Sequence, residues 1–249
     1  MLWAGGVYSW FDPLTLLHAV HALRAEHDDL RLVFLGMRHP NPDVPEMGMA
    51  GQTRRLAQTL GLTGEHVFFN ETWVAYADRQ NWLLDADAGV TTHFEHIETT
   101  FAFRTRVLDY LWAGLPIVTT DGDAFAELVA AEELGIVVPA ENPVALAAAL
   151  QRALYDDAFA AGCRDRIAGV AQRFTWEAVL APLTGFCQHP RPAPDRLRGA
   201  ALTAAGCRNG MAGALRRDAA LIRSYLAAGG PGEVARRAAQ RLRRYATRL

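Results

Sequence analysis

Lysine is missing from the sequence altogether: the 25 basic side chains among its 249 residues are all arginine. Without lysine there is no Schiff-base anchor for pyridoxal phosphate, although the pattern, with its abundant alanine and glycine, reflects base composition more than mechanism. Cysteine is nearly as scarce. Cys163, Cys187 and Cys207 are odd in number, far apart and free of any C-x-x-C pair, which argues against a disulfide framework and a zinc site and fits a reducing cytoplasm. No apolar run approaches the roughly 20 residues of a spanning helix. No charged stretch followed by an apolar core opens the chain either. The expectation is a cytoplasmic protein, with peripheral contact at the inner face of the membrane as the one membrane association left open.

What is present is material for a core. Hydrophobic residues make up 51% of the chain, enough to bury a sizeable interior at this length. The formal charge of −2 hides an asymmetry, because residues 1–189 carry 12 arginines against 24 acids and residues 190–249 carry 13 against 3. Prolines at 190, 192 and 194 mark residues 188–198 as a linker between a folded domain, 1–187, and an Arg/Ala-rich helical or disordered tail, 199–249.

The first 140 residues alternate short β-like runs with helical stretches, the pattern of an α/β domain with a doubly wound, Rossmann-like parallel sheet. Strands are expected at Leu2–Ala4, Arg31–Leu35, His66–Phe69, Ala88–Thr91, Pro116–Thr119 and Gly135–Val138. Helices are expected near Pro13–Glu26, Gln52–Leu60, Val74–Leu84, Thr105–Ala113, Phe125–Glu132, Pro143–Tyr155, Asp157–Phe174 and Glu177–Phe186. Such a sheet binds ligands at the carboxyl ends of its strands. Gly5 and Gly6 follow the first strand, where they are either an ordinary turn or a close backbone approach to a phosphate.

The stretch from Glu98 to Thr120 runs from an acidic loop through a helix carrying Asp109, then Ala113-Gly114, then Pro116-Ile117-Val118. Together with the strands Leu32–Gly36 and His66–Phe69 before it and Gly135–Pro139 after it, this order resembles the carboxyl-terminal domain of the retaining group-one class of GT-B glycosyltransferases. The resemblance covers roughly Leu2 to Trp176. It implies one half of a GT-B fold that binds a nucleotide-sugar and transfers the sugar, with retention, to a glycan or glycoconjugate acceptor, without a catalytic metal or other cofactor. In this class the acceptor is usually held by an amino-terminal domain, so the readings include an incomplete gene product, a half-enzyme docking with a separate N-terminal acceptor-binding domain, and a non-catalytic nucleotide-sugar-binding subunit. A sugar-nucleotide epimerase is a further alternative. A phosphorylase is disfavoured by the missing lysine.

Carried onto this chain, the resemblance makes Asp109 the acid that accepts the donor ribose hydroxyls; its other reading is a helix-dipole partner. The class's first acid stands eight residues earlier, but that position is Phe101. Glu98, and next to it Glu95, are the candidate replacements, unless both are solvated loop acids. The basic pair the class keeps near its first loop is also missing between Val7 and Asp12. Arg104 and Arg106, flanking a helix N-terminus where free N–H groups favour anions, are the candidate substitutes, with structural salt bridging as the alternative. Trp73 either stacks on a base or packs at a helix start. His93 and His96 lie in the loop before Glu98 and can face the donor sugar or acceptor. Gly122 can bring backbone to the phosphates, while Asp123 suits the helix cap.

The Arg-rich tail, drawn as a helix, places Val234, Ala238, Leu242 and Tyr245 on one face and Arg236, Arg237, Arg241, Arg243 and Arg244 largely on the other. It suits an anionic lipid surface or a partner protein, or is simply a solvated basic segment. Nucleic acid fits poorly, since no recognised binding module is present.

Overall fold

The computed structural model describes residues 1–39, 41, 43–192, 223, 226, 231 and 232. In chain order the elements are β1 (Leu2–Gly6), α1 (Pro13–Leu23), β2 (Leu32–Gly36), α2 (Gly48–Thr59), β3 (Val67–Phe69), α3 (Arg79–Leu84), β4 (Gly89–Thr91), α4 (Ile97–Thr100), α5 (Arg106–Ala113), β5 (Ile117–Thr120), α6 (Ala124–Ala131), β6 (Gly135–Val138), α7 (Pro143–Tyr155), α8 (Asp157–Ala171) and α9 (Trp176–Gln188). Single 3-10 turns precede α3 at Tyr76–Asp78 and follow α8 at Gln172–Phe174. The chain divides into two compact units, Met1–Ala181 and Pro182–Leu249.

The six strands form one parallel sheet in the order β3-β2-β1-β4-β5-β6. Alternation along each strand divides the core between two faces, as a strand's period of two requires. Trp3, Phe34 and Val118 point into a cluster with Leu16, Leu17, Val20 and Leu150. Leu2, Leu35 and Ile117 point into a second with Tyr110, Leu111, Val129 and Ile167. The sheet is therefore covered on both faces, and its order reverses between β1 and β4, the switch point where such sheets open a crevice for ligands.

Local signals set the boundaries. Asp12 caps α1, its Oδ1 accepting from the Thr15 amide at 3.0 Å, with Pro13 at the first helical position. Asn142, followed by Pro143, repeats the device at α7. Gly114, at φ 70°, ends α5 in the left-handed conformation that only glycine adopts without cost, and turns the chain into β5. All six strands and all eight helices expected from sequence are present. Only α4 is additional.

Among the described residues no helix is long and apolar enough to cross a membrane. Cys163 is buried and Cys187 exposed, both free. Of the expected linker, residues 193–198 lie outside the described residues, as do Cys207 and the tail apart from Arg223, Leu226, Pro231 and Gly232, which are helical.

Candidate functional site

At the carboxyl ends of β1 and β2 the chain opens a cleft of about 770 Å³, within the range of small-molecule sites. Its floor is fixed by ties between the loops after β1 and β4. The Asp12 amide donates to the Thr92 carbonyl at 3.0 Å, the Thr92 hydroxyl donates to the Asp12 carbonyl at 2.6 Å, and Phe11 bridges to His93. Gly5, Gly6, Tyr8, Trp10 and Phe11 line one wall, and Arg104, Arg106 and Asp109 face them from the start of α5. Met37, Arg38 and His39, with Val44 to Met47, Trp73 and Tyr76, close the far end.

The two arginines expected to meet a phosphate have different fates. Arg104 is committed to carboxylates: its Nη1 and Nη2 donate to Glu98 at 3.1 and 2.9 Å, and its Nε lies 3.4 Å from Asp123 Oδ2. Arg106 forms no ion pair with a carboxylate among the described residues. Its guanidinium is buried over the rings of Trp3 and Phe11, 4.5 and 4.1 Å from their centroids. Nη2 donates to the Gly6 carbonyl at 2.9 Å, and Nη1 has no partner among the described residues. Burial pulls the group down to about 10, with Tyr110 raising it and Arg104 lowering it further, so it remains a cation at neutral pH. A Cβ on Gly5 would come within 3.0 Å of Arg106 Nη2. The bare strand end and the guanidinium are thus fitted to each other.

Thr105 precedes α5 without a side-chain cap, and the helix closes its own first turn, the Val107 and Leu108 amides donating to the Arg104 and Thr105 carbonyls at 2.9 and 3.0 Å. Asp109, one turn in, also lines the cleft, with Oδ2 accepting from Arg79 Nη2 at 2.5 Å. Arg79 was invisible as a site residue in the sequence, because it belongs to α3 and lies outside the motif.

The remaining candidates spread out. Glu98 lines the cleft, held by Arg104, whereas Glu95 is exposed and outside the lining. Trp73 is 63% exposed at the rim, so it is not a packed helix-start residue. His93 is fully buried, with Nε2 3.4 Å from Asp123 Oδ2, and does not reach the cleft. Its loop position pointed to a ligand, but the bridge to Phe11 turns it inward. His96 caps the short α4 through the Glu98 amide. Gly122, at φ 110°, sits beside Thr99 and away from the cleft. Asp123 caps α6 through the Ala126 amide at 2.8 Å. No group of three or more metal-ligating side chains suited to an ion occurs among the described residues.

His93, Asp123, Arg104 and Glu98 therefore form one chain of contacts from the core to the cleft. Burial alone pushes the Asp123 carboxyl up, but His93, the Ala126 amide and Arg104 outweigh it and hold it below its ordinary 3.8. A depressed carboxyl contributes stability that is present above its unfolded value and lost as pH falls through the folded one. Asp123→Asn keeps a capping side chain yet loses this charge, and is expected to cost about 2 kcal/mol at neutral pH. The gap from wild type should close in thermal melts below the ordinary 3.8; a gap unchanged by acid would refute this role.

The sequence model described as glycosyl transferases, group 1, matches residues 1–156. The chain belongs to this family. Similar solved structures include a glycosyltransferase from Rickettsia africae ESF-5, at TM-score 0.59 and 17% identity over 74% of this chain and 46% of that one. The C-terminal domain of a group 1 family glycosyl transferase from Francisella tularensis is similar at 0.56 and 15%, over 70% and 83%. Anabaena HepE in complex with UDP and glucose is similar at 0.55 and 16%, over 74% and 47%. At these identities the likeness speaks for the fold. This chain spans less than half the length of the Rickettsia and Anabaena proteins. Comparison with curated proteins finds no match. Membership of the group 1 glycosyl transferases sets the epimerase reading aside.

Proposed function

We propose that the cleft binds the nucleoside diphosphate of a sugar donor, and that the domain supplies the donor half of a retaining glycosyl transfer to a glycan or glycoconjugate acceptor, with no metal or other cofactor. The observation that carries this reading is Arg106, a buried cation that lines the cleft, pairs with no carboxylate among the described residues and holds its Nη1 without a hydrogen-bond partner beside the Gly5-Gly6 strand end. A buried charge is costly unless paired. A diphosphate supplies the missing partner. The UDP and glucose held by the Anabaena relative are of this class.

In transfer, the bond between the anomeric carbon and the diphosphate oxygen breaks, the diphosphate leaves with the bonding pair, and the acceptor hydroxyl oxygen takes its place with configuration retained, its proton passing to the departing diphosphate oxygen. Negative charge develops on the diphosphate, where the Arg106 cation is already in place, the arrangement that lowers such barriers most. Glu98, clamped by Arg104, orients the sugar from the cleft wall. Asp109 receives the ribose hydroxyls and Trp73 the base. The acceptor comes from a second α/β domain across the cleft, and contact of the Arg-rich tail with an anionic membrane face brings the enzyme to its acceptor.

Calorimetric titration with UDP, GDP, ADP and their sugar conjugates tests the binding step. One nucleotide is expected to bind in the micromolar range, with Asp109→Ala weakening it about tenfold through the lost charged hydrogen bonds. A folded chain that binds none of them contradicts the proposal.

A further inference from the structure

An aspartate on an exposed helix face swings freely about two torsions, and a freely swinging carboxylate recognises little. On α5 this freedom is removed by Arg79, whose Nη2 donates to Asp109 Oδ2 at 2.5 Å and to the Ala4 carbonyl at 3.4 Å. Ala4 is itself fixed, because its amide donates to the Tyr110 hydroxyl at 3.1 Å. The clamp therefore joins α3, the end of β1 and α5. Both side chains stay partly open, at 28% and 31%, and both line the cleft.

An isolated pair at such exposure would contribute little to stability. What it does is geometric. Arg79 takes Oδ2 and leaves Oδ1 without a partner among the described residues, while a carboxylate offers about four acceptor sites on its two oxygens. Asp109 thus keeps room for two more donors, and a vicinal diol brings two.

We infer that Arg79 is a positioning residue that makes the cleft selective for ribonucleotides over 2′-deoxyribonucleotides. It holds the Asp109 carboxylate so that it accepts the 2′ and 3′ hydroxyls together. A deoxyribose supplies only one of these donors and leaves part of the charged acceptor unsatisfied. The inference rests on the donor-site reading above and adds to it a discriminating residue outside the motif helix.

The test is calorimetry on the full chain with the pairs UDP and dUDP, GDP and dGDP, and ADP and dADP, reading the ratio of affinities within a pair. Wild type is expected to favour the ribonucleotide roughly tenfold or more, the equivalent of one charge-assisted hydrogen bond. Arg79→Ala and Asp109→Ala should each bring the ratio close to one, and Arg79→Lys, which keeps the charge and a donor, should restore discrimination. Thermal melts confirm that each variant is folded. If Arg79→Ala keeps the wild-type ratio, or weakens both members of a pair equally, the positioning role is overturned while donor binding stands. If no pair binds the folded wild-type chain, the donor-site reading falls and the inference with it.

Discussion

Arg106→Met is expected to weaken nucleoside diphosphate binding about 100-fold while making the protein more stable. Methionine follows the course of the arginine stem between Trp3 and Phe11 and fills irregular apolar space readily. What disappears is a buried guanidinium without a carboxylate and with an unused Nη1. Replacing a buried charge by a packed apolar side chain is commonly stabilising by about 1 kcal/mol or more, which raises the melting temperature by roughly 2–4 °C in a domain of this size. The Gly6 carbonyl loses one donor but keeps the Trp3 indole N–H at 3.3 Å. Binding loses a bidentate-capable cation at the phosphates, worth about 100-fold in affinity. The opposite signs are the point: a residue kept for function at the expense of stability gives this pair of results. Unchanged binding, or a large loss of stability, would make Arg106 a structural residue.

The second large effect concerns the strand that carries α5 into place. Gly89 is buried in β4, and a Cβ there would come 2.4 Å from Cγ of Tyr110 and 2.6 Å from both Cδ atoms. Neither side can yield cheaply. Gly89 is registered against Leu2 on one neighbour and Ile117 on the other. The Tyr110 hydroxyl accepts from the Ala4 amide and lies 2.9 Å from the Val90 carbonyl, while burial holds it up at about 12, un-ionised. Gly89→Ala is therefore expected to cost about 3 kcal/mol, lowering the melting temperature by roughly 6–12 °C. In a Tyr110→Ala background the same change should cost less than about 1 kcal/mol, since the clashing ring is gone. Equal costs in both backgrounds would place the strain elsewhere.

The architecture was legible in the sequence because its signals are local and repeated. Val, Ile and Leu runs bounded by glycine or proline marked the strands, and Asp12-Pro13 and Asn142-Pro143 marked helix starts. The short α4 escaped because four residues carry no helical period. The cleft was legible less evenly. Chain order alone pointed to both Arg104 and Arg106, yet only contacts separate them: Glu98 and Asp123 neutralise one, and no carboxylate among the described residues pairs with the other. That difference depends on a residue 19 positions downstream folding back under the loop. Arg79 was missed for the same reason, since its partner Asp109 lies 30 residues away and outside its element. His93 shows the converse, a residue in a ligand-facing loop whose side chain turns into the core.

The most direct test of the central claim is a crystal structure of the chain with the nucleoside diphosphate that calorimetry identifies. The phosphates are expected within hydrogen-bonding distance of the Arg106 guanidinium, the ribose against Asp109, and the base beside Trp73. Phosphates bound elsewhere, with Arg106 still unpartnered beneath an empty cleft, would contradict the account.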